Sequence, residues 1–148
     1  MTQREEVRFK VYTKSSTSLS VEVNFPLELI DFIVGDGTYD TTNYKYNVQN
    51  AGTYLLGLSD NKRNLNNGGA GDIKVDRLID GVTTTIHINR LQENATGSRL
   101  TMGLVAMYKL EVGDELYCLS AYGNPLTNLS SYTSDDTLNS FWGIRLDY

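Results

Sequence analysis

Proline is almost absent from this chain, cysteine and histidine occur once each, and no uncharged apolar run is long enough to span a bilayer as a helix. Each shortage closes off a class of protein. A single cysteine, Cys118, excludes an internal disulfide framework and any multi-thiolate zinc site. It reads as a buried free thiol in a strand. A single histidine, His87, leaves histidine-based metal sites and a Cys–His nucleophilic pair without supporting spacing. With Thr85 and Asn89 on its own face and Ile86 and Ile88 on the other, His87 reads as a solvent-facing strand residue. Two prolines and no Gly/Ser linker leave no internal boundary, so residues 1–148 are expected to form a single domain. The 13 Lys and Arg residues are scattered and outnumbered by 18 acidic ones, for a net charge of −5, which gives no basic stripe to neutralise phosphates. No nucleic acid partner and no membrane insertion are therefore expected. The opening MTQREEVRFK lacks the apolar core of a secretory signal peptide, so the expectation is a cytosolically made chain or a piece of something larger.

What the chain does have is alternation. Val7, Phe9 and Val11 share one face of Val7 to Thr13, and Leu19, Val21, Val23 and Phe25 share one face of Leu19 to Phe25. Leu27 to Val34 is apolar with acidic interruptions, open between a strand and a short helical turn. Tyr44 to Val48 and Thr53 to Leu58 read as strands either side of Asn50-Ala51-Gly52. The polar, glycine-rich run Asp60 to Asp72 reads as an exposed loop. Ile73 to Ile79 and Val82 to Asn89 flank Asp80-Gly81, the strongest short hairpin signal present. Arg99 to Leu110 and Glu115 to Tyr122 read as an antiparallel pair around Val112-Gly113-Asp114, and Ser140 to Leu146 as a last strand. Helical periodicity is sustained nowhere. Roughly ten short strands with glycine-marked turns predict an all-β sandwich or barrel.

Three fragments carry a resemblance. In Tyr46-Asn47-Val48-Gln49-Asn50-Ala51-Gly52-Thr53-Tyr54-Leu55-Leu56, the residues Tyr46, Gly52 and Tyr54 fall on the aromatic, glycine and tyrosine positions of the complement C1q globular head; Gln49 and Leu56 replace its usual proline and phenylalanine. Leu110-Glu111-Val112-Gly113-Asp114-Glu115-Leu116 resembles the leucine, glycine-aspartate and apolar spacing shared by C1q heads and tumour necrosis factor (TNF) ligands. In Ser140-Phe141-Trp142-Gly143-Ile144-Arg145-Leu146, the residues Phe141, Gly143 and Leu146 match the terminal strand of that family. The resemblance implies an antiparallel jelly-roll sandwich of about ten strands, C1q/TNF-like, assembling as a homotrimer and serving as a recognition head. Each matched residue also has a structural role: Gly52 and Gly113-Asp114 shape turns, and Tyr54 and Phe141 bury large area in the core or at a subunit contact.

Catalytic constellations are missing. Gly-x-Ser-x-Gly does not occur, and Asn67-Gly68-Gly69-Ala70-Gly71-Asp72 is followed by no Gly-Lys-Ser/Thr, so it is no phosphate loop. Loop aspartates, Asp36, Asp40, Asp60, Asp72, Asp135 and Asp136, are candidate calcium ligands, because some members of the resembling family bind calcium; EF-hand spacing is absent. No other cofactor is expected. The opposed apolar rows of Leu100 to Leu110 raise the question of what covers the second face. Expected at a trimer contact are Tyr54, Met102, Leu104, Ala106 and Tyr108; expected in ligand-binding loops are Tyr39, Asp60, Asn66 and Asp72. The function expected is that of a noncatalytic trimeric head, virion-borne or extracellular, such as a viral or phage fibre head or decoration component. Its partner would be a host-surface receptor, a glycan or another structural protein. The contrasting class is a carbohydrate-binding jelly roll or a polysaccharide-active enzyme, with Tyr39, Tyr122, Tyr132 and Tyr148 as sugar platforms.

Overall fold

The computed structural model describes residues 5–12, 17–19, 23–24, 27–63, 70–79, 81–92, 100–123, 129–131 and 140–147. Every regular element among them is a strand. In chain order these are β1 (Arg8–Tyr12), β2 (Thr17–Leu19), β3 (Val23–Asn24), β4 (Leu29–Val34), β5 (Thr38–Asp40), β6 (Lys45–Asn47), β7 (Gly52–Arg63), β8 (Ala70–Ile79), β9 (Val82–Gln92), β10 (Leu100–Leu110), β11 (Glu115–Gly123), β12 (Leu129–Ser131) and β13 (Ser140–Arg145).

Two antiparallel sheets result. The first runs β10-β7-β13-β1-β4, with β12 and then β2 continuing beside the far end of the long β7. The second runs β5-β6-β11-β8-β9, with β3 beside the far end of β11. The all-β jelly-roll sandwich expected from the sequence is the observed fold. Consecutive strands repeatedly switch sheets, as jelly rolls do, and this accounts for one departure from expectation. β10 and β11 are not a hairpin: β10 pairs with β7 in the first sheet, β11 with β6 and β8 in the second. The turn between them carries the chain across the sandwich. Gly113 supplies its left-handed residue at φ +95°. Asp114, 1% exposed, holds it shut by accepting from the Glu111 amide at 2.8 Å and from Arg77 Nη2 at 2.8 Å.

The core follows from the alternation. Val7, Phe9 and Val11 of the first-sheet side, Tyr54, Leu56 and Leu58 of β7, Phe141 of β13, and Leu104 and Leu110 of β10 face Tyr46, Val48, Val75, Leu116 and Cys118 across the interior. Phe9 stacks on Tyr46 at 3.8 Å between ring centroids and meets Phe141 edge-on at 5.1 Å, tying the two sheets at the centre. The Tyr108 hydroxyl donates to the Ile86 carbonyl and laces edge strand β10 to edge strand β9.

Three segments bear on boundaries. Leu29–Val34 is a strand, resolving the ambiguity of that segment. The supposed loop Asp60 to Asp72 is mostly strand, because β7 continues to Arg63 and β8 begins at Ala70. Its polarity misled, since strand ends that project beyond the apolar interior need no buried side chains. In the segment Leu19 to Phe25, only Leu19, Val23 and Asn24 lie within the described residues.

Candidate functional site

Register across the first sheet sorts its residues into inward and outward rows. The row Ala106, Leu56, Gly143, Phe9 and Ile33 runs through the core side of adjacent strands β10, β7, β13, β1 and β4. The neighbouring rows point the other way. One is Val105, Gly57, Trp142, Lys10 and Phe32; the next is Met107, Leu55, Ile144, Arg8 and Val34. These two rows form an outward face that crosses five strands.

That face is apolar where it matters. Val105 is 61% exposed, Met107 64% and Phe32 37%, while Leu55, Trp142 and Ile144 are half-buried. Trp142 lies flat over Gly57, whose missing side chain makes the seat: a Cβ there would fall 2.1 Å from the indole Cε2. Beside it is an open hollow of about 280 Å³ lined by Leu58, Ser59, Gly103, Leu104, Val105 and Trp142. The charges on this face are already engaged by neighbours. Arg8 pairs with Glu6 at 3.1 Å and sits over the Phe32 ring at 5.4 Å, and Lys10 pairs with Asp31 at 3.4 Å. Such exposed pairs contribute little to stability, but they leave the face without an uncompensated charge at its centre.

Most of the residues expected at a trimer contact are enclosed within the single chain. Tyr54 is fully buried and donates its hydroxyl to the Asn50 carbonyl at 2.7 Å, and Leu104 is 5% exposed. Ala106 is half-buried, and Tyr108 packs against the core cluster. Met102 pairs with Asp60 across β10 and β7, and its side chain lies outside the described residues. Among the described residues of β10, the apolar side chains left exposed are those of the alternate row, Val105 and Met107.

Of the expected ligand-binding loop residues, Tyr39 has a described side chain and Asp60, Asn66 and Asp72 do not. Tyr39 lies on β5, packs against the core cluster and has its hydroxyl enclosed without a hydrogen-bond partner among the described residues, so it offers no sugar platform. Burial pushes its phenol far above the ordinary value. Asp60 is in β7 opposite Met102, and Asp72 is in β8 opposite Ala121, so both are strand residues. Asn66 lies outside the described residues, as do Tyr132 and Tyr148 and the side chain of Tyr122. Among the described residues no three acidic, histidine or cysteine side chains gather at ligand distance, and the side chains of Asp60, Asp72, Asp135 and Asp136 lie outside them. Asp40 is already turned onto its own chain, accepting from the amides of Thr42 at 2.8 Å and Asn43 at 3.0 Å.

The second sheet carries a charged ladder that sequence reading missed, because its members are far apart in the chain. Lys45 Nζ reaches Glu115 Oε1 at 2.7 Å, and Tyr117 Oη donates to Glu115 Oε2 at 3.0 Å. The hydrogen bond from Lys45, chiefly, holds the Glu115 carboxyl below its ordinary value of 4.5. A depressed carboxyl adds stability that is present above its unfolded value and is lost as pH falls through the folded one. Asp40 and Asp147 are depressed too, first by the Asn43 side chain and the Thr53 amide respectively, and act in the same direction. Denaturation midpoints are therefore expected to fall as pH drops below about 4.5, and the slope should flatten in Glu115→Gln. An unchanged slope in that variant would show the ladder to be energetically idle. Cys118, fully buried, has its thiol pushed up by burial and is no nucleophile.

With this geometry in view, comparison with solved structures is informative about fold. The chain superposes on the Eiger TNF structure from S. frugiperda with a TM-score of 0.79 at 11% identity, covering 97% of this chain and 94% of that one. It superposes on murine APRIL with a TM-score of 0.70 at 15% identity, covering 96% and 100%. No protein-family model matches the chain, and no curated protein matches it in sequence. The structural neighbours are TNF-family jelly-roll domains, and the fold is TNF-like.

Proposed function

We propose that this chain is a noncatalytic recognition head that works as a homotrimer and is assembled through the outward face of its first sheet. The observation that carries the reading is the pair of apolar rows crossing β10, β7, β13, β1 and β4, with Val105 and Met107 more than half exposed in an isolated chain. Exposed apolar residues are ordinary when scattered, but a contiguous patch with its charges internally paired marks a protein contact. The edge strand β10 and the centre of the face differ in shape, a ridge of Val105 and Met107 beside the Trp142 shelf and the Gly103 hollow. A ridge meeting a neighbour's shelf is a heterologous contact, the kind that forms a ring when its rotation closes. The TNF-like fold supports a ring of three. The recognition role rests on the same fold.

Sedimentation equilibrium at micromolar concentration tests this reading. A mass roughly three times the 16.5 kDa of the chain is expected. A monomer under those conditions would overturn it. Binding without turnover on an array of glycans and surface proteins is the matching functional expectation, and hydrolysis of a polysaccharide would contradict it.

A further inference from the structure

Asp76 occupies an unusual place for a carboxylate. It lies on the outward row of β8, opposite Tyr117 of β11 and Thr85 of β9, yet it is only 7% exposed. One carboxylate oxygen accepts from Thr85 Oγ1 at 2.7 Å. The described cations nearby are committed elsewhere, Arg77 to Asp114 and Lys45 to Glu115, and the side chain of Lys74, two residues along β8, lies outside the described residues. The carboxylate borders an open cleft of about 360 Å³ whose other walls are Leu78, Thr83, Tyr117 and Leu119. That volume falls at the small end of the range of ligand sites, roughly 300 to 1,000 Å³. The Tyr117 ring is fixed as a wall by its bond to Glu115, which Lys45 anchors in turn.

A nearly buried carboxylate to which the described residues supply no cation is costly, and apolar walls strengthen its attraction for a cation that comes within reach. We propose that this cleft receives a primary alkylammonium, the side chain of a lysine presented by a partner protein. The ammonium meets Asp76, and the four-carbon stem runs along Leu78, Leu119 and the Tyr117 ring. A compact ammonium on an unbranched stem needs only one acceptor oxygen, and Thr85 Oγ1 bonds one of the two oxygens of Asp76. The site is on the second sheet, so it does not depend on the proposed assembly through the first.

The test is an amide NMR titration of the full chain with Nα-acetyl-lysine-N-methylamide. Saturable shifts are expected at Asp76, Leu78, Thr83, Tyr117 and Leu119, and none with the uncharged norleucine analogue. Asp76→Asn should weaken binding by about tenfold or more, since it removes the charge while keeping an acceptor for Thr85. Leu78→Trp, which fills the cleft and leaves Asp76 intact, should also abolish the shifts, so the test survives if the Asn variant misfolds. Absence of saturable shifts, equal binding of norleucine, or unchanged affinity in a folded Asp76→Asn chain would overturn the proposal. Binding of n-butylammonium without binding of the lysine amide would overturn the assignment to a protein lysine and point to a free amine.

Discussion

Phe9→Ala is expected to lower the stability of the fold by about 3 to 5 kcal/mol, the range for deleting a fully buried aromatic ring. Phe9 has no exposed surface, stacks on Tyr46 and meets Phe141 edge-on, so its ring is the contact through which the two sheets hold each other. The hole it would leave cannot close easily. Gly143 lies beneath the ring, and a Cβ there would come within 2.5 Å of Phe9 Cε1, so the ring fills space that the adjacent strand leaves empty. Truncation would join that space to the deleted volume, and the strands on either side are fixed by ladder hydrogen bonds. Domains are stable by only about 5 to 15 kcal/mol, so the variant should approach half unfolding in mild denaturant. Equilibrium urea denaturation at a fixed protein concentration measures this. A loss below about 1 kcal/mol would mean that the centre of the sandwich repacks, contrary to the geometry described.

Much of this interior can be read from alternation. Val7, Phe9 and Val11 point inward as a row, and so do Tyr54, Leu56 and Leu58. The Asp80-Gly81 hairpin joins β8 to β9 as expected, with Gly81 at φ +80°. Sheet membership was not legible. A glycine turn such as Val112-Gly113-Asp114 has the same local chemistry whether it joins hairpin partners or carries the chain from one sheet to the other. The difference lies in distant partners: Arg77 for Asp114, β7 for β10. The facing of β10 was hidden for a related reason. Both of its rows are apolar, and composition does not say which row meets the opposite sheet. Leu104 and Val105 are nearly interchangeable as hydrophobic residues, yet one is 5% exposed and the other 61%. Buried charge was equally invisible, since Asp76 and Arg145 look in sequence like ordinary surface residues and only the fold shows that they are enclosed.

That difference between adjacent residues makes the proposed association face separable from the core by mutation. Val105→Asp combined with Met107→Asp should dissociate the assembly while leaving the isolated chain folded. Both side chains project from the first sheet and are more than half exposed, so in a monomer the new carboxylates remain in water and cost little, on the order of 0.5 kcal/mol each. In the proposed assembly each would be buried against apolar neighbours such as Trp142 and Ile144, and the Arg8 and Lys10 cations of the same two rows are already paired with Glu6 and Asp31. Even about 2 kcal/mol per carboxylate compounds to roughly a thousandfold weaker association at one contact, and a ring repeats the contact. Leu104→Asp provides the opposite behaviour. It introduces an unpaired charge beneath the sheet and should unfold the chain itself, because Leu104 belongs to the core. Sedimentation velocity over a dilution series, with circular dichroism on the same samples, distinguishes the two. The double variant should sediment as a folded monomer at concentrations where the wild type stays associated. Its melt should match that of wild type diluted below assembly, because association itself adds apparent stability. A double variant that remains folded and sediments with the wild type would place the contact elsewhere on the molecule.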